Sequence, residues 1–308
     1  MYDWGRDINV SDIGTVGVLY GGWSNERSVS LESGVCVLNA LKRININAIG
    51  FDIVNYADIF KLKDYGLDVI IIALHGGDGE DGHVQAALDL MDLKYIGSGL
   101  TASALCMNKV RARMICKAAG VPVVPWQDFE ASEPPLKPDF DFPVCLKPVA
   151  GGSSIGVEKV VDIEQWRKVT SNLAPGAWMV EPWINGVDHF VGIIGDVVLP
   201  VIEVALPEGE FFDFNNKYVA ANKKNIVIDK PDLQQRMRTA FDALGCRHYA
   251  RADFITVGAR SWFLEMNTAP GMVPTCLLPQ QAKFSGLAYE DLLLHLVSMA
   301  EDKEEVCA

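Results

Sequence analysis

Asp253, Glu265 and Asn267 are three hard oxygen donors carried on two short apolar segments. Trp262 to Met266 is an apolar run interrupted by one acid and followed by Pro270-Gly271, which reads as a strand ending in a turn. Side chains at i and i+2 of a strand share a face, so Glu265 and Asn267 project side by side. Arg251-Ala-Asp253-Phe-Ile-Thr-Val257 reads as a second strand, and Val257-Gly258-Ala-Arg260 is short enough for a hairpin turn that sets Asp253 across from the other two. Two carboxylates and an amide on one face are the donor set magnesium takes when it keeps waters and shares its sphere with phosphates. Polar residues on the solvent face of a plain hairpin have the same spacing. The metal reading therefore rests on the spacing, the paired strand and the following turn together.

A second constellation lies upstream. Val144 to Pro148 reads as a strand, followed by the turn Gly151-Gly152-Ser153-Ser154-Ile-Gly156. Backbone amides of such a turn can converge on phosphate oxygens, and the two serines add hydroxyl donors. A plain hairpin turn has the same composition, so both readings stand on these residues alone. The polar segment Ala220 to Lys230, with Lys223 and Lys224, is read as either a mobile lid over a site or an inert loop.

These groups need a scaffold, and the pattern supplies one. Thr15 to Tyr20 is an apolar strand running into Gly21-Gly22, and Ser28 to Ile44 has helical periodicity, the start of a βαβ unit. Ala48 to Ile53 and Val69 to Leu74 are further strands, the latter an unbroken apolar run suited to a parallel sheet covered on both faces. Loop 75–82, a helix near Val84 to Met91 and a short strand at Lys94 to Gly97 complete this part, with no Gly-x-Gly-x-x-Gly fingerprint to support NAD. Met107 to Ala119 reads as one amphipathic helix, residues 131–141 as a surface loop, and Trp178 to Val204 as strands of one continuing antiparallel sheet. Helices are expected over Asp232 to Leu244 and Leu287 to Met299.

The 308 residues, 49% hydrophobic and 22% charged, can bury a sizeable core and divide into two or three domains. A net charge of -13 argues against nucleic acid or an anionic membrane as partner, so a bound phosphate would need local lysines and magnesium. The seven cysteines form no Cys-x-x-Cys pair and fall mostly in apolar segments, as buried thiols in a reducing compartment do. The five histidines show no zinc spacing. The polar start lacks a signal-peptide core and no apolar run reaches membrane-spanning length, so a cytoplasmic protein is expected.

Taken in order, Leu19-Tyr-Gly-Gly-Trp-Ser-Asn-Glu26-Arg27, Ala73-Leu-His75-Gly, Gly79-Glu80-Asp-Gly82, Gly97-Ser-Gly99, Met107-Asn-Lys109, Lys147-Pro148, Gly152-Ser-Ser-Ile-Gly156, Asp213 through Lys217-Tyr218, Arg251-Ala-Asp253 and Glu265-Met-Asn267-Thr-Ala-Pro-Gly-Met272 resemble a D-alanine:D-alanine ligase of the ATP-grasp superfamily, from Val16 to about Ala300. The resemblance implies a mixed α/β and α+β protein. A doubly wound N-terminal parallel-sheet domain (1–104) would precede two α+β ATP-grasp lobes, a small one (105–185) and a C-terminal one with the magnesium site (186–308), which clamp ATP. It implies a homodimer that uses ATP and two magnesium ions, with manganese as a substitute, to make D-alanyl-D-alanine for peptidoglycan through an acyl phosphate. A related ligase with another acceptor (D-serine, D-lactate or another amino acid) and an ATP-binding module without turnover stay open beside it.

By the same resemblance Lys109 and Lys147 grip ATP phosphates with Ser153 and Ser154 in the closing loop, Glu181 and the backbone around Trp183 hold adenine, Asp188 meets the ribose, and Lys217 sits with the nucleotide contacts. Asp253, Glu265 and Asn267 are similar to ligands for the two metal ions. Arg251 and the amide of Gly271 look like oxyanion donors, and Glu26, joined to Ser153 and Tyr218, looks like the acid that holds the first D-alanine's ammonium. Three positions depart from the pattern: Cys276 stands for a serine in the acceptor's carboxylate pocket, Asp188 for a glutamate, and Gly151 for an acid. The first bears on acceptor specificity and the other two on nucleotide affinity.

Overall fold

Runs of β-branched residues build the first layer. The computed structural model describes residue 4, residues 8–205 and residues 224–301. Strands β1 (Thr15–Gly21), β2 (Asn47–Ile53), β3 (Val69–Ile72) and β4 (Tyr95–Ile96) pair in parallel in the order β2-β1-β3-β4, joined through helices α1 (Arg27–Arg43), α2 (Tyr56–Phe60) and α3 (His83–Leu90). Strand residues alternate faces, so Val16, Val18, Val69 and Ile71 enter one core with Val37 and Leu41 of α1. Leu19, Ile70 and Ile72 enter another with Val84 and Leu88 of α3. Both faces are covered, which is why β3 is apolar at every position.

The helix expected over Met107 to Ala119 forms as α5 (Lys109–Ala118), and a helix that was not anticipated, α4 (Leu100–Met107), runs directly ahead of it. The break is Asn108, whose backbone leaves the helical region (φ -89°, ψ 98°) and whose side chain accepts from the Arg111 amide at 3.0 Å. This N-cap makes Lys109 the first residue of α5.

The second sheet is antiparallel, in the order β5-β8-β6-β7, from β5 (Gln127–Glu130), β6 (Val144–Pro148), β7 (Glu158–Val160) and β8 (Ala177–Pro182), with α6 (Ile163–Thr170) between the last two. Trp166 of α6 is fully buried against Val144, Leu146 and Val180 and donates to the Pro135 carbonyl at 3.0 Å. The third sheet contains β9 (Val187–Ile194), β10 (Val197–Val198), β11 (Val201–Ala205) and β12 (Lys224–Ile228). After α7 (Pro231–Ala243) it adds β13 (Tyr249–Val257) and β14 (Arg260–Asn267), in the order β12-β11-β9-β13-β14 with β10 against β9.

Two expectations need correction. The segment from Trp178 to Val204 is not one sheet: β8 belongs to the second sheet and β9 to the third. Pro182 has no N–H to extend its ladder, and at Gly186 a Cβ would meet the Thr256 carbonyl oxygen at 2.7 Å, so the chain crosses between sheets through 183–186. The segment Ala220 to Lys230 is likewise not all loop, because Lys224–Ile228 is the edge strand β12, its β-branched residues pairing with β11; residues 220–223 lie outside the described part.

Two helices close the chain, α8 (Leu277–Phe284), which the periodicity did not reveal, and α9 (Tyr289–Ser298). Leu292, Leu293 and Leu296 of α9 join Val16, Val37 and Leu41 in the core of the first sheet. Arg43 of α1 meets Glu290 of α9 at 2.6 Å, and its hydrogen bond holds the Glu290 carboxyl below the usual carboxylate range. The stabilisation is present above the ordinary carboxylate pKa and is lost as pH falls through the lowered one. Because the pair is largely exposed, Glu290→Gln is expected to cost at most about 1 kcal/mol in denaturant titrations near neutral pH, and the difference from the parent should shrink as pH falls through the lowered carboxylate range and in 1 M salt. Cys106, Cys116, Cys145 and Cys246 are buried and free.

Candidate active site

The β13–β14 hairpin sets its polar residues by register. Asp253 lies directly across from Glu265 and Arg251 across from Asn267, with an irregularity after Asp253. Two carboxylates facing each other across a ladder repel. Arg251 offsets this with a two-pronged bond to Asp253, Nε to Oδ1 at 2.7 Å and Nη2 to Oδ2 at 3.0 Å, and Lys109 Nζ approaches Glu265 Oε2 at 3.3 Å. Asn267 Oδ1 accepts from the Ala269 amide at 3.0 Å, which orients its oxygen at the strand end. A magnesium ion fits this donor set by its adjacent hard oxygens, two carboxylates and an amide, and by its position on the wall of a cavity.

That cavity, of about 770 Å³, lies between the second and third sheets. Lys147, Glu181, Trp183 and Asp188 line it with Asp253 and Glu265. Lys147 Nζ donates to Glu181 Oε1 at 2.6 Å, and the other Glu181 oxygen accepts from Arg113. Burial opposes ionisation of Glu181, but the two cations outweigh it and hold the carboxyl below its usual range. The Glu181 side chain is thus turned to cations, while Trp183 Nε1 donates to Asn185 and the Lys159 ammonium sits 4.7 Å from the Trp183 ring.

A second cavity, of about 410 Å³, abuts the first. Glu26, His75, Ser153, Arg251, Asn267, Gly271 and Cys276 line it. Glu26, buried at the start of α1, accepts from Ser153 Oγ, so the first layer touches the glycine-rich loop at this point. Ser153 and Ser154 hold left-handed backbone (φ 51° and 58°), a conformation that costs side-chain-bearing residues about 1–3 kcal/mol each and is kept where a loop must aim its amides. A Cβ on Gly271 would meet Cys276 Sγ at 2.8 Å, so the thiol packs directly on that glycine. Cys276 is the N-cap residue of α8.

Lys109, Gly151, Gly152 and Glu265 line both cavities. Lys109 Nζ donates to the Gly151 carbonyl, and burial pushes its ammonium below the usual lysine value, with Glu265 drawing it back up. Of the residues given site roles by the resemblance, Lys217 and Tyr218 lie outside the described residues; the others, Ser154 included, line one cavity or both. Arg113 and Lys159 were not anticipated. For Arg113 the signal was its place one turn after Lys109 on an amphipathic helix.

Two antiparallel sheets closing on a cavity with Lys147 on one wall, a carboxylate pair on the other and Lys109 between them, behind a parallel-sheet layer, define an ATP-grasp ligase. The chain belongs to the D-alanine–D-alanine ligase family: a model of the family's C-terminal part matches residues 115–298 and one of its N-terminal part matches residues 56–98. A D-alanine–D-alanine ligase of Hydrogenovibrio crunogenus is 36% identical over 301 residues, covering 94% of this chain and 96% of that protein. The crystal structure of D-alanine–D-alanine ligase from Bacillus anthracis complexed with ATP is similar at a TM-score of 0.81 and 28% identity, over 94% of this chain and 97% of that one. VanG D-Ala:D-Ser ligase from Enterococcus faecalis is similar at a TM-score of 0.79 and 26% identity, over 93% and 99%.

Proposed function

We propose that this protein joins two D-alanine molecules into D-alanyl-D-alanine, with cleavage of ATP to ADP and phosphate, as a step towards peptidoglycan. The observation that carries this reading is the pair of abutting cavities sharing Lys109, Gly151, Gly152 and Glu265. The larger suits a nucleotide and the smaller suits two small zwitterions, with the transferred phosphoryl group at the boundary.

In this scheme Lys147 and Lys109 hold the phosphates from one side and the amides of the glycine-rich loop cover them. Asp253, Glu265 and Asn267 would hold two magnesium ions, which when bound neutralise charge on the phosphate oxygens. Glu26, fixed by Ser153, holds the ammonium of the first D-alanine so that its carboxylate oxygen faces the γ-phosphorus. That oxygen forms the new P–O bond while the bond to ADP breaks. The neutral amine of the second D-alanine then attacks the acyl carbon, Arg251 with the Gly271 amide stabilises the tetrahedral oxyanion, and the C–O bond breaks as phosphate leaves with the proton lost from nitrogen. No protein nucleophile is required. Glu181, Trp183 and Asp188 belong to the base and ribose end, and the roles given to Lys217 and Tyr218 remain part of the proposal.

The direct test is ADP release by the purified protein with ATP and magnesium, with and without D-alanine, and the mass of the product. ADP that forms only with D-alanine, together with the dipeptide, supports the reading; bound ATP without D-alanine-dependent ADP sinks it. Cys276 favours one second reading, a different acceptor such as D-serine, and product mass separates the two. On the main reading, Cys276→Ser should lower the KM for the acceptor by roughly fivefold, because a hydroxyl donates to a carboxylate better than a thiol does by about 1 kcal/mol. An unchanged constant would take Cys276 out of contact with that carboxylate. A homodimer in the cytoplasm belongs to the same proposal; among the described residues no helix is long and apolar enough to cross a membrane.

A further inference from the structure

Arg113 has no part in these roles, yet it is fully buried beside the larger cavity. It lies one turn along α5 from Lys109, so both side chains leave the helix on one face. Its Nη1 donates to Glu181 Oε2 on β8. Its Nε donates at 3.1 Å to the carbonyl of Leu264 on β14, the residue before Glu265. One guanidinium therefore ties the second sheet to the third. Lys147 Nζ occupies the other oxygen of the same carboxylate.

We propose that Arg113 is a positioning residue for the nucleotide: by neutralising Glu181 it leaves the charge of Lys147 available to the phosphates of a nucleoside triphosphate. One carboxylate between two cations leaves a net positive charge at the cavity wall. Without the guanidinium, Lys147 and Glu181 form a neutral buried pair, and reaching for a phosphate would strand a bare carboxylate. The pinning of Leu264 also fixes the backbone beside Glu265, so one group aligns both walls. Stability is a poor reason for this burial, since apolar residues of similar volume often replace buried ion clusters with no loss.

The inference rests on the nucleotide reading of the cavity. Its test is steady-state kinetics with magnesium and ATP for Arg113→Met, Arg113→Lys, Glu181→Gln and the double variant Arg113→Met/Glu181→Gln. Arg113→Met should raise the KM for ATP by roughly tenfold or more while kcat moves less than about threefold, and Arg113→Lys, which keeps the charge, should recover most of the loss. The decisive comparison is the double variant, whose KM should match that of Glu181→Gln within about threefold, because no carboxylate is left to capture Lys147. Additive losses in the double variant, a KM unchanged in Arg113→Met, or a lysine variant as poor as the methionine one would each overturn the proposal. Failure of the unsubstituted protein to bind ATP would instead overturn the nucleotide reading, and this inference with it.

Discussion

Glu265→Gln is expected to cut D-alanine-dependent ADP formation by about 100-fold or more without lowering the melting temperature. The two halves of this expectation have one cause. Glu265 faces Asp253 across the hairpin, and like charges in that position work against folding. Glutamine keeps the volume and an acceptor for Lys109, whose ammonium stands 3.3 Å from the present carboxylate, and it removes the repulsion. What it loses is charge at the wall shared by both cavities, where the phosphoryl group and its magnesium are to be held. Rate, melting temperature and half-saturating magnesium measured on one preparation separate the effects. A rate within threefold of the parent, or a lowered melting temperature with an unchanged magnesium requirement, would show that Glu265 is a structural acid.

Arg251→Lys should lower kcat by about 100- to 1,000-fold, the range found when one oxyanion donor is removed. Arg251 spends two donors on Asp253, lies 5.5 Å from the Phe190 ring and lines the smaller cavity with its remaining reach. Lysine keeps the charge beside Asp253, so the buried carboxylate is not left bare, but a single ammonium cannot hold both oxygens and also point at an oxyanion. The fold should therefore survive while the chemical step fails. If kcat persisted and only the KM for D-alanine rose, Arg251 would belong to ground-state binding.

The β13–β14 hairpin was legible because it is local. Strand alternation put Glu265 and Asn267 on one face, and a short turn returned Asp253 to them, with no information needed from elsewhere in the chain. Helix α4 was harder to see, since Leu100 to Met107 is small or apolar at most positions and shows no regular polar face, and its stop at Asn108 depends on a capping bond to Arg111. The separation of β8 from β9 was not legible at all: both read as apolar strands, and which sheet a strand joins is decided by partners far off, β5 and β6 for one and β11 and β13 for the other. Arg113 was hidden for a similar reason. A charged residue on an amphipathic helix is usually solvated, and its burial here is set by Glu181 and Leu264, 68 and 151 residues away.

The helix α9 that completes the first sheet's core has a consequence for the order of synthesis. Val16, Val18, Val37 and Leu41 are made early, but the leucines that cover them, Leu292, Leu293 and Leu296, follow after nearly everything else. A nascent chain can pair β1, β2 and β3 as soon as they leave the ribosome, yet one face of that sheet is covered only in part, by α1, until α9 arrives. Stalled or truncated products therefore present a sticky apolar surface to chaperones and proteases, and the first layer of the protein to be synthesised is among the last to become watertight.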